Sequence, residues 1–233
     1  MSNGLKIFTS DPGIPVLVEG ERDEELIRQL VREFEGEYVI RERGGDSKVL
    51  EALDILVDIE LPRIGVILDL DNNSPNDIYE KCYNKLEGNH SNVSKLNNNK
   101  ISIKNRSIVQ VGYSGLPNDP DISELSIERH AIEDHVLKLL LDDDQTVQRI
   151  SESGINDSDS LKDALINIEN ELEEHHGTIV RGKVHLEIAK ITLGYESHTN
   201  SFIHNLLQCT NIDYQNHPST QQILSFFDSL EEL

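Results

Sequence analysis

The chain has 233 residues, 36 % of them hydrophobic, a length and composition that suit one medium domain or a core with a small appendage. Its formal charge of −22 repels phosphate backbones at long range and argues against a general nucleic-acid coat protein, although a bound divalent cation can reverse the sign locally. No apolar run reaches the roughly 18 residues of a membrane span, and "MSNGLKIFTSDPG" shows no apolar signal region. Cys82 and Cys209 are too few for a disulfide framework, so the expectation is a cytoplasmic protein with free thiols.

In chain order, Ile14, Val16, Leu17 and Val18 read as a buried strand that stops at Glu19-Gly20. Leu26, Ile27, Leu30, Val31 and Phe34 then recur at helical spacing, predicting an amphipathic helix over 22–35. A short strand at 37–42 follows, and "GGDSK" (44–48) is a turn with Asp46 or Ser47 as N-cap. Val49, Leu50, Leu53, Leu56 and Val57 mark a second helix, ending before Pro62. "RIGVILDLDNN" (63–73) is a continuous apolar strand closed by Asp69 and Asp71. Ser74, Pro75 and Asp77 supply an N-cap, a proline at N1 and an acid at N3 for a helix to about Leu86.

The Asn/Ser-rich stretch 88–100 reads as a polar loop, and "RSIVQVGYSG" (106–115) as a fourth strand ending in a glycine turn. "PNDPDISE" (117–124) is a proline-rich surface loop, and from Ser126 onward the pattern is helical: 127–141, 159–176, 183–193, 199–208 and 220–230. Strands that are apolar throughout, alternating with helices, argue an α/β fold. The expected architecture is a parallel sheet of about four strands in a core over 1–143, with a helical extension over 144–233 packed on it.

Asp69 and Asp71, two apart at a strand end, point to one side of the strand. Glu19 ends another strand. Parallel neighbours have their C-terminal ends on one edge, where ligands gather, so the three acids converge if those strands are adjacent. Two like charges 4–6 Å apart repel by about 3–4 kcal/mol at an effective dielectric near 20, which a shared proton or a cation must offset. Oxygen ligands suit Mg²⁺ or Mn²⁺, and such ions activate water and stabilise a leaving oxygen in phosphodiester chemistry. The plainer reading is that Asp71 and its Asn neighbours merely turn the chain into the Ser74 cap.

"VLVEGERDEELIRQLV" followed by "IGVILDLDNN" resembles the two signature motifs of the Toprim domain, shared by topoisomerases, primases, rRNA maturases and the overcoming-lysogenization-defect nucleases. "GGDSKVLEALDIL" and "AIEDHVLKLL" are similar to small stand-alone Toprim-like proteins, and the likeness covers about residues 14–141. The resemblance implies a Rossmann-like sheet. It also implies Glu19 as a metal ligand or general acid/base, Asp69 and Asp71 as Mg²⁺ ligands, and Glu133 or Asp134 in a second metal site. Here "DLDNNSPND" offers only Asp77 where topoisomerases carry a further glutamate, and no cleavage tyrosine domain or zinc-ribbon set is visible. Strand passage and priming are therefore not expected.

"HAIEDH" is not a zinc-protease motif, because His130 and His135 are five apart, about 140° round a helix. Both read as ordinary histidines. "GGDSK" with Lys48 forms either an anion nest or a plain turn. Gly20, Arg22 and Lys48 are the candidate substrate-binding residues. The leading expectation is a Mg²⁺- or Mn²⁺-dependent phosphodiester hydrolase acting on nucleic acid. The alternatives are a metal- or nucleotide-binding regulator with a protein partner or a second copy of the chain, and a hydrolase of small nucleotides, which suits the acidic surface.

Overall fold

The computed structural model describes residues 13–32, 37–143, 160–176, 182–195, 198–209 and 213–232. The chain forms two compact units. Residues 1–68, 73–113 and 222–233 make the first, and residues 69–72 with 114–221 make the second.

The first unit is built on a six-stranded sheet. Its elements are β1 (Ile14–Val18), α1 (Glu21–Leu30), β2 (Tyr38–Glu42), α2 (Asp46–Asp58), β3 (Arg63–Asp69) and α3 (Pro75–Asn89), then β4 (Val93–Lys95), β5 (Lys100–Ile103) and β6 (Ser107–Ser114). The strand order is β2-β1-β3-β6-β5-β4. β1 pairs in parallel with β2 and with β3, in the latter through Val16 opposite Gly65 and Leu17 opposite Val66. Val16, Leu17, Ile64 and Val66 have no exposed surface, which is why these strands read as unbroken apolar runs.

The sheet is mixed, not a four-stranded parallel one. β4, β5 and β6 form antiparallel hairpins; β4 lies within the stretch 88–100 that reads as a loop, and β5 starts at its last residue. Asn98 and Asn99, and again Lys104 and Asn105, all have φ between 54° and 59°. Paired positive φ is the demand of a tight hairpin turn, and Asn tolerates it, so the Asn-rich composition is turn chemistry between short strands.

Helix ends follow the local chemistry. Ser74 caps α3, its hydroxyl accepting from the Asp77 amide at 3.3 Å, while Asp77 Oδ2 accepts from the Ser74 amide at 2.9 Å. That hydrogen bonding holds the Asp77 carboxyl below its usual range. α2 differs from expectation: its N-cap is Gly45, with φ 108°, and Asp46 is already helical. A non-glycine cap such as Asp or Ser would be strained at that φ. The helix expected over 22–35 ends at Leu30, and residues 33–35 lie outside the described ones.

The last helix, α9 (Pro218–Glu231) by its place in the chain, returns to the first unit at Gln222. A Cβ on Gly112 would stand 2.6 Å from the Phe226 ring, and one on Gly65 3.0 Å from it. The two glycines clear the bed on which that ring lies. Phe227 packs edge-on against Tyr38 at 4.7 Å, and the Tyr38 hydroxyl donates to Glu231 at 2.7 Å.

The second unit is helical: α4 (Pro120–Ser123), α5 (Ile132–Leu141), α6 (Leu161–His176), α7 (Gly182–Thr192), α8 (Thr199–Cys209) and the start of α9. α4 is a short turn of helix in the segment expected as a loop, with Asp119 Oδ1 accepting from the amides of Asp121 and Ile122. Lys138 and Lys162 both reach Asp121, at 2.6 and 3.0 Å, tying α4 to α5 and α6 and holding the Asp121 carboxyl below its usual range. Among the described residues no helix is long and apolar enough to cross a membrane.

Candidate functional site

In the first unit the end of β1 is clasped by the β2–α2 turn. The amides of Gly44 and Gly45 both donate to the Glu19 carbonyl at 2.9 Å, and the Arg43 amide donates to Val18 O at 3.1 Å. Gly44 and Gly45 have φ of 79° and 108°, and this backbone aims two successive N–H groups at one acceptor. Those two amides of the "GGDSK" turn are occupied by a main-chain oxygen. Lys48 is exposed, with its Nζ over Gly44, and Asp46 is paired with Lys81.

Gly20 caps α1, its amide donating to Asp23 Oδ2 at 2.9 Å. Glu19 and Arg22 are half-buried. Burial pushes the Cys82 thiol in α3 up to about 12, with the Glu19 charge adding to the rise.

The second unit holds the other acids. Asp69, the last residue of β3, is half-buried and its Oδ1 accepts from Ser114 Oγ at 2.5 Å, while the Leu70 amide donates to Ser114 O at 3.0 Å. Asp71 is exposed and has φ 48°, a left-handed conformation that Asp tolerates better than most residues. Its main chain is locked to His130: the Asp71 amide donates to His130 O at 2.7 Å, and the His130 amide to Asp71 O at 3.1 Å.

His130 in turn rests on Asp134, which has no exposed surface. Asp134 Oδ2 accepts from His130 Nδ1 at 2.7 Å and from the Leu116 amide at 3.0 Å. A carboxylate can only accept, so Nδ1 carries a proton. Gly115, at φ 116°, makes room for this: a Cβ there would lie 2.8 Å from His130 Cβ. The other oxygen, Asp134 Oδ1, has no hydrogen-bond partner among the described residues and faces Gly182, the first residue of α7. Glu133 is buried beside it in the chain.

His135 is a separate matter. It is fully buried, its Nε2 accepts from the Gly115 amide at 3.0 Å, and its Nδ1 bonds the Ser219 carbonyl. Both nitrogens are used in a neutral ring, and burial pulls its pKa below the ordinary value against the opposing pull of Ser219 O and Asp134.

The structure therefore groups Asp69, Asp71 and Asp134 with Ser114, which the sequence reading passed over, and with His130, which it read as an ordinary histidine. The signals were present: a serine before the glycine that ends β6, and a histidine four residues ahead of Asp134. Among the described residues no group of three or more His, Cys, Asp and Glu side chains stands ready to hold a metal ion. A Mg²⁺-type ion asks for less, since it keeps several waters and is held through one or two carboxylates plus substrate phosphate. The Asp69/Asp71 pair offers that donor chemistry.

Compared with solved structures, the chain is similar to a hypothetical protein from Pyrococcus horikoshii OT3, with a TM-score of 0.59 and 14 % identity over 94 % of this chain and 95 % of that one. At that identity the likeness shows the fold alone. No curated protein matches. A family model described as a protein of unknown function, DUF3226, matches residues 15–230.

Proposed function

Taking as premise that the chain belongs to the DUF3226 family, we propose that it is a divalent-cation-dependent phosphodiester hydrolase of the Toprim type, acting on nucleic acid. One observation carries this reading. β1 and β3 are adjacent parallel strands in register, and the residue that follows β1 is Glu19 while the residue that closes β3 is Asp69. Parallel neighbours end on one edge, the ligand edge of such sheets.

In this reading Asp69 and Asp71 hold Mg²⁺ or Mn²⁺, and Glu19 is a further ligand or the general acid/base. Bound there, the ion polarises a phosphoryl oxygen and activates water. Ser114 fixes the Asp69 rotamer. The positive φ of Asp71 and its backbone lock to His130 present that carboxylate in one position. Gly20 and Arg22 follow Glu19 in the sequence and Lys48 lies in the first turn of α2, and in this reading they meet the substrate backbone. The surroundings are cytoplasmic.

The test is to incubate single-stranded DNA, RNA, plasmid DNA and small nucleotides with the protein and Mg²⁺ or Mn²⁺. Cleavage of a polynucleotide, lost in Asp69→Ala and in Asp71→Ala, is expected. Cleavage that survives both substitutions, or none with any polymer, contradicts the reading. Turnover of nucleotides alone, lost in the same variants, moves the substrate to the small-nucleotide class that the −22 charge favours.

A further inference from the structure

The first unit carries a cavity of about 490 Å³ lined by Pro62, Arg63, Ser102, Asn105, Arg106 and Ile108. That volume falls within the range of small-molecule sites, about 300–1,000 Å³. The cavity lies where β3 begins. Because β1 and β3 are parallel, this edge of the sheet is the one opposite Glu19.

Main-chain bonds tie three stretches together here. The Ile108 amide donates to Pro62 O at 2.9 Å, beside Arg63, and the Arg106 amide donates to Ile103 O at 3.0 Å. Lys104 and Asn105, both at φ 54°, turn the chain from β5 into β6. Ser102 stands opposite Ile108 in the β5–β6 ladder, and alternation sets it on the face away from the buried Ile101 and Ile103.

The chemistry of this lining is one-sided. The chain has 43 acids against 21 lysines and arginines, whereas the cavity is lined by two arginines and no acid. Ser102 and Asn105 add a hydroxyl and an amide, and neither side chain makes a hydrogen bond among the described residues. Ser102 is only 8 % exposed, and a buried hydroxyl without a partner is costly until a ligand oxygen satisfies it. Arg63 has no carboxylate partner among the described residues, and its one hydrogen bond there runs from Nη1 to Glu231 O at 3.3 Å. Arg106 grips Glu60 through Nη1 alone, at 2.5 and 2.7 Å, in an exposed pair that leaves Nε and Nη2 uncommitted.

We propose that this cavity binds a phosphate monoester: Arg63 and Arg106 hold the phosphate, Ser102 and Asn105 donate to it, and Pro62 and Ile108 meet the organic group. Guanidiniums match phosphate oxygens with paired hydrogen bonds, and a dianion balances two such charges. Four donor side chains suit three phosphoryl oxygens better than the two oxygens of a carboxylate. The site is independent of the cation site proposed above.

The experiment is calorimetry on the full chain at about 0.15 M NaCl, which screens non-specific attraction, with phenyl phosphate, benzoate and inorganic phosphate and no divalent cation. Phenyl phosphate should bind saturably, about tenfold or more tighter than either other anion. Arg63→Gln and Arg106→Gln should each weaken it about tenfold or more, and Ser102→Ala several-fold. Lys104→Gln removes an equal charge from the same turn but outside the lining, and should change affinity by less than about threefold. Glu60→Gln frees Arg106 and should tighten binding about two- to fivefold. Absence of saturable phenyl phosphate binding, equal binding of either other anion, or a loss in Lys104→Gln as large as in the arginine variants overturns the inference. Should Arg63→Gln fail to fold without its Glu231 contact, Arg106→Gln and Glu60→Gln, which change only exposed side chains, decide.

Discussion

Ser114 Oγ lies 2.5 Å from Asp69 Oδ1, and the main chain of the same serine accepts from Leu70. One residue at the end of β6 thus sets both the side chain of the first acid and the backbone that leads to the second. Hydrogen bonds to a charged group contribute about 1.5–3 kcal/mol, and this one is half-buried, so Ser114→Ala should cost about 1–2 kcal/mol by urea denaturation. The freed Asp69 rotamer should weaken Mn²⁺ binding several-fold. Unchanged stability and affinity together would mean that the serine hydroxyl does not position Asp69.

Gly115 carries the neighbouring constraint. At φ 116°, with a prospective Cβ 2.8 Å from His130 Cβ, alanine is excluded both by backbone conformation and by contact. Strain of this kind costs about 1–3 kcal/mol. Gly115→Ala should lower stability by about that amount and shift the His130 ring signals in NMR. A variant as stable as wild type with unmoved His130 resonances would show that the turn has slack absent from this geometry.

His135 gives stability a pH dependence. Its folded pKa lies below the ordinary value because burial disfavours the imidazolium. The unfolded chain binds the proton near pH 6.5 and the folded chain does not, so the unfolded state holds more protons below that pH. The stabilisation is therefore complete above about pH 6.5 and is lost as the pH falls toward the folded value. Urea midpoints at pH 7.5 and 5.0 should differ more for wild type than for His135→Gln. Equal pH dependence in the two proteins would exclude a neutral buried His135 as the cause.

Cys82 should be inert. Its thiol is fully buried and pushed up to about 12, with desolvation the largest cause, so almost no thiolate exists at pH 8. In a Cys209→Ser background, native protein should resist iodoacetamide until urea unfolds it. Rapid labelling under native conditions would show that α3 opens locally or that the thiol is less buried.

How far the sequence carried the fold depended on the kind of signal. β1, β3 and the helices between them were legible because burial on both faces leaves a continuous apolar run, and Ser74 with Asp77 spelled out its cap. β4 and β5 were not: they are three and four residues long, and their turns are written in asparagines that also compose loops. The acids at the strand ends could be found from local pattern alone. Ser114 and His130 could not, since their roles exist only through partners distant in sequence, Asp69 for one and Asp71 for the other. His130 looked ordinary because the relevant spacing, four residues to Asp134, joins a residue outside α5 to one inside it.

The most direct test of the account is anomalous diffraction from crystals soaked in MnCl₂. The account predicts a Mn²⁺ peak roughly 2.0–2.5 Å from carboxylate oxygens of Asp69 and Asp71, with Glu19 at the same ion or one water away. A well-diffracting soaked crystal with no peak at these aspartates, or with manganese bound only elsewhere, would contradict it.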